Sequence, residues 1–318
     1  MPEQASSKPF FVVLDNDLKA NQPALTKAAR LARQAGASLR LFVNAWSAAL
    51  TRSIGHDEQA LAKTRDGVLA AWQQRIDELL QAESLASDTV QSTVVWEKDQ
   101  EDALRKAIMA SRPALVATRG EEGGGRLRRL FLTPRDWLLL RNAPCPVLCV
   151  DDTPWPDSMP VLAAIDPLHD DDKLEGLNGA ILKEAKAMAT ALSGGLKLAH
   201  VLEHPDETLI LIAGEAIPSY LGDAETQRKY YREQMRKLSE QADLDPEQNV
   251  LLEGLAAPAL AEYQHQQGPL LLVLGTVARG AVGRLLLGST AEQIIANAGG
   301  ELLAVKAPDF ESPWEQIT

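Results

Sequence analysis

One stretch of the chain combines residue types and spacing that could do chemistry: Leu274-Gly275-Thr276-Val277-Ala278-Arg279-Gly280-Ala281-Val282-Gly283-Arg284-Leu285-Leu286-Leu287-Gly288-Ser289-Thr290-Ala291-Glu292. It runs from the end of an apolar strand to the start of a helix. In an open α/β sheet, ligands sit beyond the carboxyl ends of the strands. Gly288-Ser289-Thr290 before Ala291-Glu292-Gln293 reads as a helix N-terminus whose outward N–H groups and dipole attract phosphate. Gly275 would let the backbone pass close to a ligand, and Arg279 and Arg284 could supply positive charge. A structural reading stands beside this one, in which the glycines make turns and Ser289 caps a helix. The stretch is not Gly-x-x-x-x-Gly-Lys-Ser/Thr, and no Gly-x-Gly-x-x-Gly follows the first strand.

Other groupings are weaker. His169-Asp170-Asp171-Asp172 has metal-ligand residue types, but a run of acids is more often a solvated loop; a magnesium ion shared with phosphates is its milder form. His200 and His204 flank a strand end and read as a strand and a loop histidine. The apolar insertion 207–222 could cover a cleft or line a pocket for a greasy ligand, although packing is the commoner fate of such a stretch. Cys145 and Cys149 read as buried thiols, since four residues along a strand separate them by ~13 Å, too far for a disulfide. No Gly-x-Ser-x-Gly elbow, His-Glu-x-x-His or recognisable acid/base carboxylate pair occurs.

The elements that must position the glycine stretch come in two copies. Phe10-Phe11-Val12-Val13-Leu14-Asp15 matches Pro160-Val161-Leu162-Ala163-Ala164-Ile165-Asp166, an apolar run ending in a carboxylate. Each is followed by an Ala/Leu-rich helix (23–34 and 178–192), a glycine stop, a second strand (38–43 and 196–201) and a long polar helix (58–83 and 224–242). A third strand follows in each half (91–96 and 249–253), then a helix, then an apolar strand after a proline (113–118 and 269–275). The last segments pair 137–150 with 293–305, placing Asn142 opposite Asn297. The order βαβαβαβαβ implies parallel sheets with right-handed crossovers. The expected domains are 1–150 and 159–318, joined by a proline-rich acidic linker at 151–158 in which Trp155 is either solvated or a packed anchor. Two such domains in one chain mimic a dimer, and that pseudo-dimer would pair the last strands, 147–150 and 302–305, removing open edges.

Composition narrows the partners. The chain has 318 residues, 32 basic against 44 acidic, and a net charge of −12, which disfavours generic nucleic-acid binding. Met1 to Phe10 lacks a cationic region and the apolar run behind it breaks at Asp15, so no signal peptide is expected; no apolar run reaches the ~20 residues of a membrane span. A cytoplasmic location without membrane association is the expectation.

The first-strand aspartate, the two-fold repeat, and the fourth-strand glycine pattern followed nine residues later by Gly-Ser together resemble the universal stress protein family, in its tandem two-domain form. The resemblance implies two α/β domains, each a five-stranded parallel sheet in order 3-2-1-4-5 of the adenine-nucleotide alpha-hydrolase-like kind. It also implies a stress-response role, unidentified protein partners, homodimer formation as an option, and ATP, with or without magnesium, at the strand ends. Carried over by position, Asp166 would meet the adenosine end and Val201 would line the adenine, while Gly275, Gly288, Ser289 and Thr290 would hold ribose and phosphates. The second glycine of the pattern falls on Ala278, with Arg279 and Gly280 following. In the first half Thr118 is expected opposite the first glycine, Glu121-Glu122 would repel phosphate, and Thr133-Pro134 replaces Gly-Ser and removes an N–H donor. Arg126, Arg128 and Arg129 could rebuild an anion site there, but the expectation is a degenerate first site. The alternatives are a nucleotide-independent scaffold or hydrophobic-ligand binder, and a slow metal-assisted ATPase built on Asp166 and the His169 run; at most weak hydrolysis is expected.

Overall fold

The computed structural model describes residues 8–122, 130–168, 176–203, 224–279, 285–298 and 300–316. The chain divides into two compact units, the first made of residues 1–121, 132–154 and 311–318, the second of 122–131 and 155–310.

The first unit contains β1 (Phe10–Val13), α1 (Pro23–Ala35), β2 (Leu39–Asn44), α2 (Ala48–Ile54), α3 (Glu58–Ala82), β3 (Val90–Val95), α4 (Gln100–Ser111) and β4 (Leu115–Arg119). After β4 the chain forms a two-stranded pair, β5 (Glu121–Glu122) and β6 (Leu130–Phe131), whose residues from 122 on fall in the second unit, and then returns to the first with α5 (Pro134–Asn142) and β7 (Val147–Val150). Five strands run parallel in the order β3-β2-β1-β4-β7. Every residue of β1 and β7 is buried, which is why these strands read as unbroken apolar runs rather than alternating ones.

The helices start and stop where side chains settle the orphan backbone groups. Pro23 opens α1 at a position that needs no N–H donor, and Gly36 closes it in the left-handed region at φ 62°. Asp57 and Asp99 cap α3 and α4 by accepting the N–H groups of Ala60 and Asp102. The α3 helix buries Trp72, Ile76 and Leu79, spaced four and three residues apart on one face. Trp72 is 1% exposed, so truncating it to alanine would cost ~3–5 kcal/mol.

The second unit repeats the plan with β8 (Val161–Ala164), α6 (Leu177–Ala191), β9 (Leu196–Leu202), α7 (Ala224–Gln241), β10 (Val250–Glu253), α8 (Ala256–Gln267) and β11 (Leu271–Gly275). It ends with β12 (Val277–Arg279), β13 (Leu285–Leu287), α9 (Ser289–Asn297) and β14 (Leu302–Val305). Its five parallel strands lie in the order β10-β9-β8-β11-β14. Each unit therefore has the strand order 3-2-1-4-5.

Two features depart from the sequence reading. Residues 277–279 and 285–287, within the stretch expected to run from the strand end to the helix start, pair antiparallel as β12 and β13 on either side of a glycine-bearing connection. The short helix α2 follows Ser47, whose hydroxyl accepts the Leu50 N–H, and was not legible as a separate element. Both cysteines are buried; β7 begins at Val147, so Cys145 lies just before the strand and Cys149 within it. Among the described residues no helix is long and apolar enough to cross a membrane.

Candidate functional site

Sheet register places the two units' strand-end corners in correspondence. Phe10 pairs with Leu39 and Leu115, and Val161 pairs with Leu196 and Leu271, so Leu39 corresponds to Leu196 and Leu115 to Leu271. Counting forward, Val201 corresponds to Asn44, and Gly275 to Arg119 rather than to Thr118. The last strands confirm the count, because Gly275 pairs with Val305 and Arg119 with Val150. The expectation that Thr118 stands opposite the first glycine is thus corrected by one residue.

In the second unit, β8 leads to Asp166, which is exposed at the strand end. Buried Asn178, in the first turn of α6, pins its backbone: the Asn178 Nδ2 group donates to the Asp166 carbonyl at 2.7 Å, and Asn178 Oδ1 accepts the Asp166 N–H at 3.3 Å. The Asp166 carboxylate accepts the Leu168 N–H at 3.1 Å. Val201 lies half-buried near the end of β9. His200, one residue before it, points to the opposite face, where its Nδ1 lies 3.0 Å from the Ile165 carbonyl and its ring stacks on Tyr231 of α7 at 4.8 Å. Burial first, then the charges of Asp166 and Tyr230, push the Tyr231 phenol above its ordinary pKa.

Gly275 ends β11. A Cβ there would sit 2.6 Å from the end of the Leu177 side chain, so a larger residue would displace that leucine at the α6 N-terminus. Thr276 is buried and bonds the Val305 carbonyl through both its N–H and its hydroxyl. The Thr276 carbonyl accepts the Gly288 N–H at 3.1 Å. Gly288 therefore does not present a free donor, contrary to the sequence reading. The N-terminal N–H groups of α9 on Ser289, Thr290 and Ala291 precede the first helical bond, which runs from the Glu292 N–H to the Gly288 carbonyl. No side chain caps this end, and Ser289 and Thr290 are exposed. Ala278 lies opposite Leu286 and Arg279 opposite Leu285 in the hairpin. Gly280, Arg284, the His169–Asp172 run, His204 and the 207–222 insertion lie outside the described residues, as do Arg126, Arg128 and Arg129. Among the described residues no cluster of three metal-ligating side chains forms.

The first unit fills the same corner with its own side chains. The Arg119 guanidinium donates to Asp15 Oδ2 at 3.0 Å and also bonds Asp152. Burial alone would lower its pKa, but the hydrogen bonds to Asp15 and Asp152 outweigh burial and raise it. Arg135, at the position of Thr290, reaches Asp15 Oδ1 at 3.5 Å. Asp136, at the position of Ala291, is fully buried: it accepts the Thr118 hydroxyl at 2.7 Å and the Thr133 N–H and hydroxyl at 2.8 Å, closing a capping box over α5. Pro134 stands at the position of Ser289 and has no N–H. Asn44, at the position of Val201, exchanges hydrogen bonds with the Glu97 backbone at 2.8 and 3.1 Å. The aspartate pin is kept, with Gln22 taking the part of Asn178.

The sequence reading named Asp166, Gly275, Gly288, Ser289 and Thr290, and the structure sets them at strand ends and a helix start of the second unit. The sequence reading missed Asn178, Gln22, Arg119 as the counterpart of Gly275, and Asp136. Asp136 did carry a signal, since Thr133-Pro134-Arg135-Asp136 has capping-box spacing.

Comparison with known proteins follows the same division. A family model described as "Universal stress protein family" matches residues 7–151 and again 160–306. "Universal stress protein E" of Salmonella typhi and of Escherichia coli K12 are each 29% identical over 314 residues, covering 96% of this chain and 96% of theirs. Among solved structures, a functionally unknown protein from Pseudomonas aeruginosa PAO1 superposes with a TM-score of 0.68 at 24% identity, covering 96% of this chain and 94% of its own. A universal stress protein from Archaeoglobus fulgidus gives 0.57 at 17% identity, covering 93% and 98%.

Proposed function

The chain belongs to the universal stress protein family, carrying its domain twice, and from that premise we propose that the second unit alone binds an adenine nucleotide, ATP being the first candidate, as part of a cytoplasmic stress response. The observation that carries the reading is the uncapped N-terminus of α9 beside the side-chain-free Gly275, set against the carboxylate and guanidinium that occupy the same corner of the first unit.

The residues present fit an anion. The N–H groups of Ser289, Thr290 and Ala291 and the α9 dipole would hold phosphate, and the Ser289 and Thr290 hydroxyls would add two further donors. Gly288 would shape the turn, its own N–H already bonded to Thr276. Ala278, Arg279 and Gly280 would flank the phosphates, with Arg279 supplying charge. Asp166, held by Asn178, would meet the ribose end, and Val201 would line the base. Magnesium would arrive with the nucleotide phosphates rather than in a dedicated cage. The proposed role is binding and response to occupancy, with partner proteins reading the bound state.

Equilibrium dialysis with radiolabelled ATP and magnesium tests the reading. The account expects saturable binding to the full chain, weakened on Ser289→Pro, which removes an N–H and a hydroxyl while placing a residue favoured at the first helical position. No binding at millimolar nucleotide, or equal binding by the variant, would overturn it.

A further inference from the structure

The first unit carries a concavity that meets the filled corner at Glu97. Helix α4 and the face of β2 and β3 enclose a cleft of about 680 Å³. Its walls include Phe42 and Val95 from the sheet and Ala103 and Ala107 from α4, and Asp15, Arg119 and Arg135 are not among its lining residues. Beneath it Phe11 and Phe42 stack with ring centroids 5.9 Å apart.

The cleft opens beside an unguarded strand edge. In its unit's sheet, β3 is the outermost strand, and its sequence Val90-Gln91-Ser92-Thr93-Val94-Val95 has no charge and no proline. The Val95 carbonyl accepts the Ala45 N–H, so Val95, Thr93 and Gln91 turn their backbone groups toward β2. By the alternation of the strand, Ser92 and Val94 direct their N–H and C=O groups outward. The side chains of Gln91, Thr93 and Val95 meanwhile share the sheet face that lines the cleft.

Charge divides the cleft lengthwise. At the carboxyl end of β3 stand Glu97 and Asp99. Asp102 below them is neutralised by Arg105 and Lys106 at 2.7 Å each. At the other end Arg40 pairs in register with Gln91, and among the described residues no acid forms an ion pair with it. Gln91 and Val95 are four strand positions apart, ~13 Å.

We propose that this cleft is a binding site for an extended peptide segment that adds to β3 antiparallel, with a basic residue at its start and an acidic residue four positions later. Main-chain hydrogen bonds to Ser92 and Val94 supply the pairing, and alternate side chains enter the cleft. The antiparallel direction sets the peptide's cation against Glu97 and Asp99 and its anion against Arg40. The site is independent of the nucleotide reading, since it uses no residue of the second unit.

The test uses the full chain and two blocked pentapeptides, acetyl-Lys-Val-Thr-Val-Glu-amide and its charge-reversed counterpart acetyl-Glu-Val-Thr-Val-Lys-amide, followed by backbone amide NMR. The expected result is shifts centred on Ser92 and Val94 with the first peptide, and binding of the reversed peptide weaker by about tenfold or more. Ser92→Pro removes an outward N–H without touching the β2 ladder and should weaken the first peptide by a similar factor. Arg40→Glu, which leaves the strand intact, should abolish the preference between the two peptides and serves where the proline variant does not fold. No shifts at β3 at millimolar peptide, equal affinity for the two peptides, or full binding by folded Ser92→Pro would overturn the proposal. A dimer in sedimentation that Ser92→Pro dissolves would also overturn it, because a second copy would then hold the edge.

Discussion

The two strand-end corners are built on one backbone plan and reach opposite chemical states. In the first unit the corner side chains bond one another or the backbone: Arg119 bonds Asp15 and Asp152, Asp136 bonds Thr118 and Thr133, and Asn44 bonds the Glu97 backbone. In the second unit the corresponding positions hold Gly275, Ala291 and Val201, and the α9 N-terminus has no capping side chain. A helix start attracts negative charge in either case. The first unit meets that demand with its own buried carboxylate, and in the proposed reading the second would leave it to a ligand. On that reading the duplicated fold would use one copy as a scaffold and keep the other receptive.

Placing a carboxylate at the open corner should have the largest effect. Gly288→Asp sets a negative charge beside the proposed phosphates, a repulsion of about 4 kcal/mol at 4 Å and an effective dielectric of 20, so ATP affinity should fall ~100-fold or more. The folded state should not suffer, because aspartate is at least as good an N-cap as glycine; dialysis and thermal melts on one sample separate the two outcomes. Ser289→Pro, copying Pro134, removes both the N–H and the hydroxyl of residue 289, two donors to a charged group at about 1.5–3 kcal/mol each, and should weaken ATP by roughly 100-fold.

Opening the first unit acts on stability instead. Asp136→Ala strips the capping box and leaves the Thr118 hydroxyl and the Thr133 N–H without their acceptor, at a cost of about 2–4 kcal/mol measurable by urea unfolding. The mirror change in the kept feature should be symmetric: Gln22→Ala and Asn178→Ala each remove two hydrogen bonds to an aspartate backbone and should each cost about 1–2 kcal/mol. A large inequality between them would show that the pin is not equivalent in the two copies.

The smallest effect concerns Asp166 itself. Its negative charge disfavours the tyrosinate form of Tyr231, so Asp166→Asn should lower that phenol's pKa. Burial, the larger cause, remains, so the value should stay above an ordinary tyrosine's; ultraviolet pH titration against a Tyr231→Phe control reads the change.

Much of this was legible in the residues. The apolar runs ending at Asp15 and Asp166, the glycine stop at Gly36 and the proline before β4 and β11 gave two βα repeats, because strand burial and helix termination are local chemistry. Even the counterpart of Gly275 was written there: Gly275 follows Pro269 by six residues and Arg119 follows Pro113 by six. The pairing with Thr118 followed residue likeness rather than register, and only the sheet fixed the count. The Arg119–Asp15 and Thr118–Asp136 contacts join residues 104 and 18 apart, and the amide pins join a strand end to the following helix across loops of unequal length. Such contacts exist only once the chain is folded. The fate of the Gly288 N–H was hidden for the same reason, since it depends on the hairpin of β12 and β13.

Native mass spectrometry of the full chain titrated with ATP and magnesium tests the asymmetry most directly. The account predicts one nucleotide per chain, retained in Asp136→Ala and lost in Gly288→Asp. Two nucleotides per chain, or a single one that survives Gly288→Asp, would contradict it.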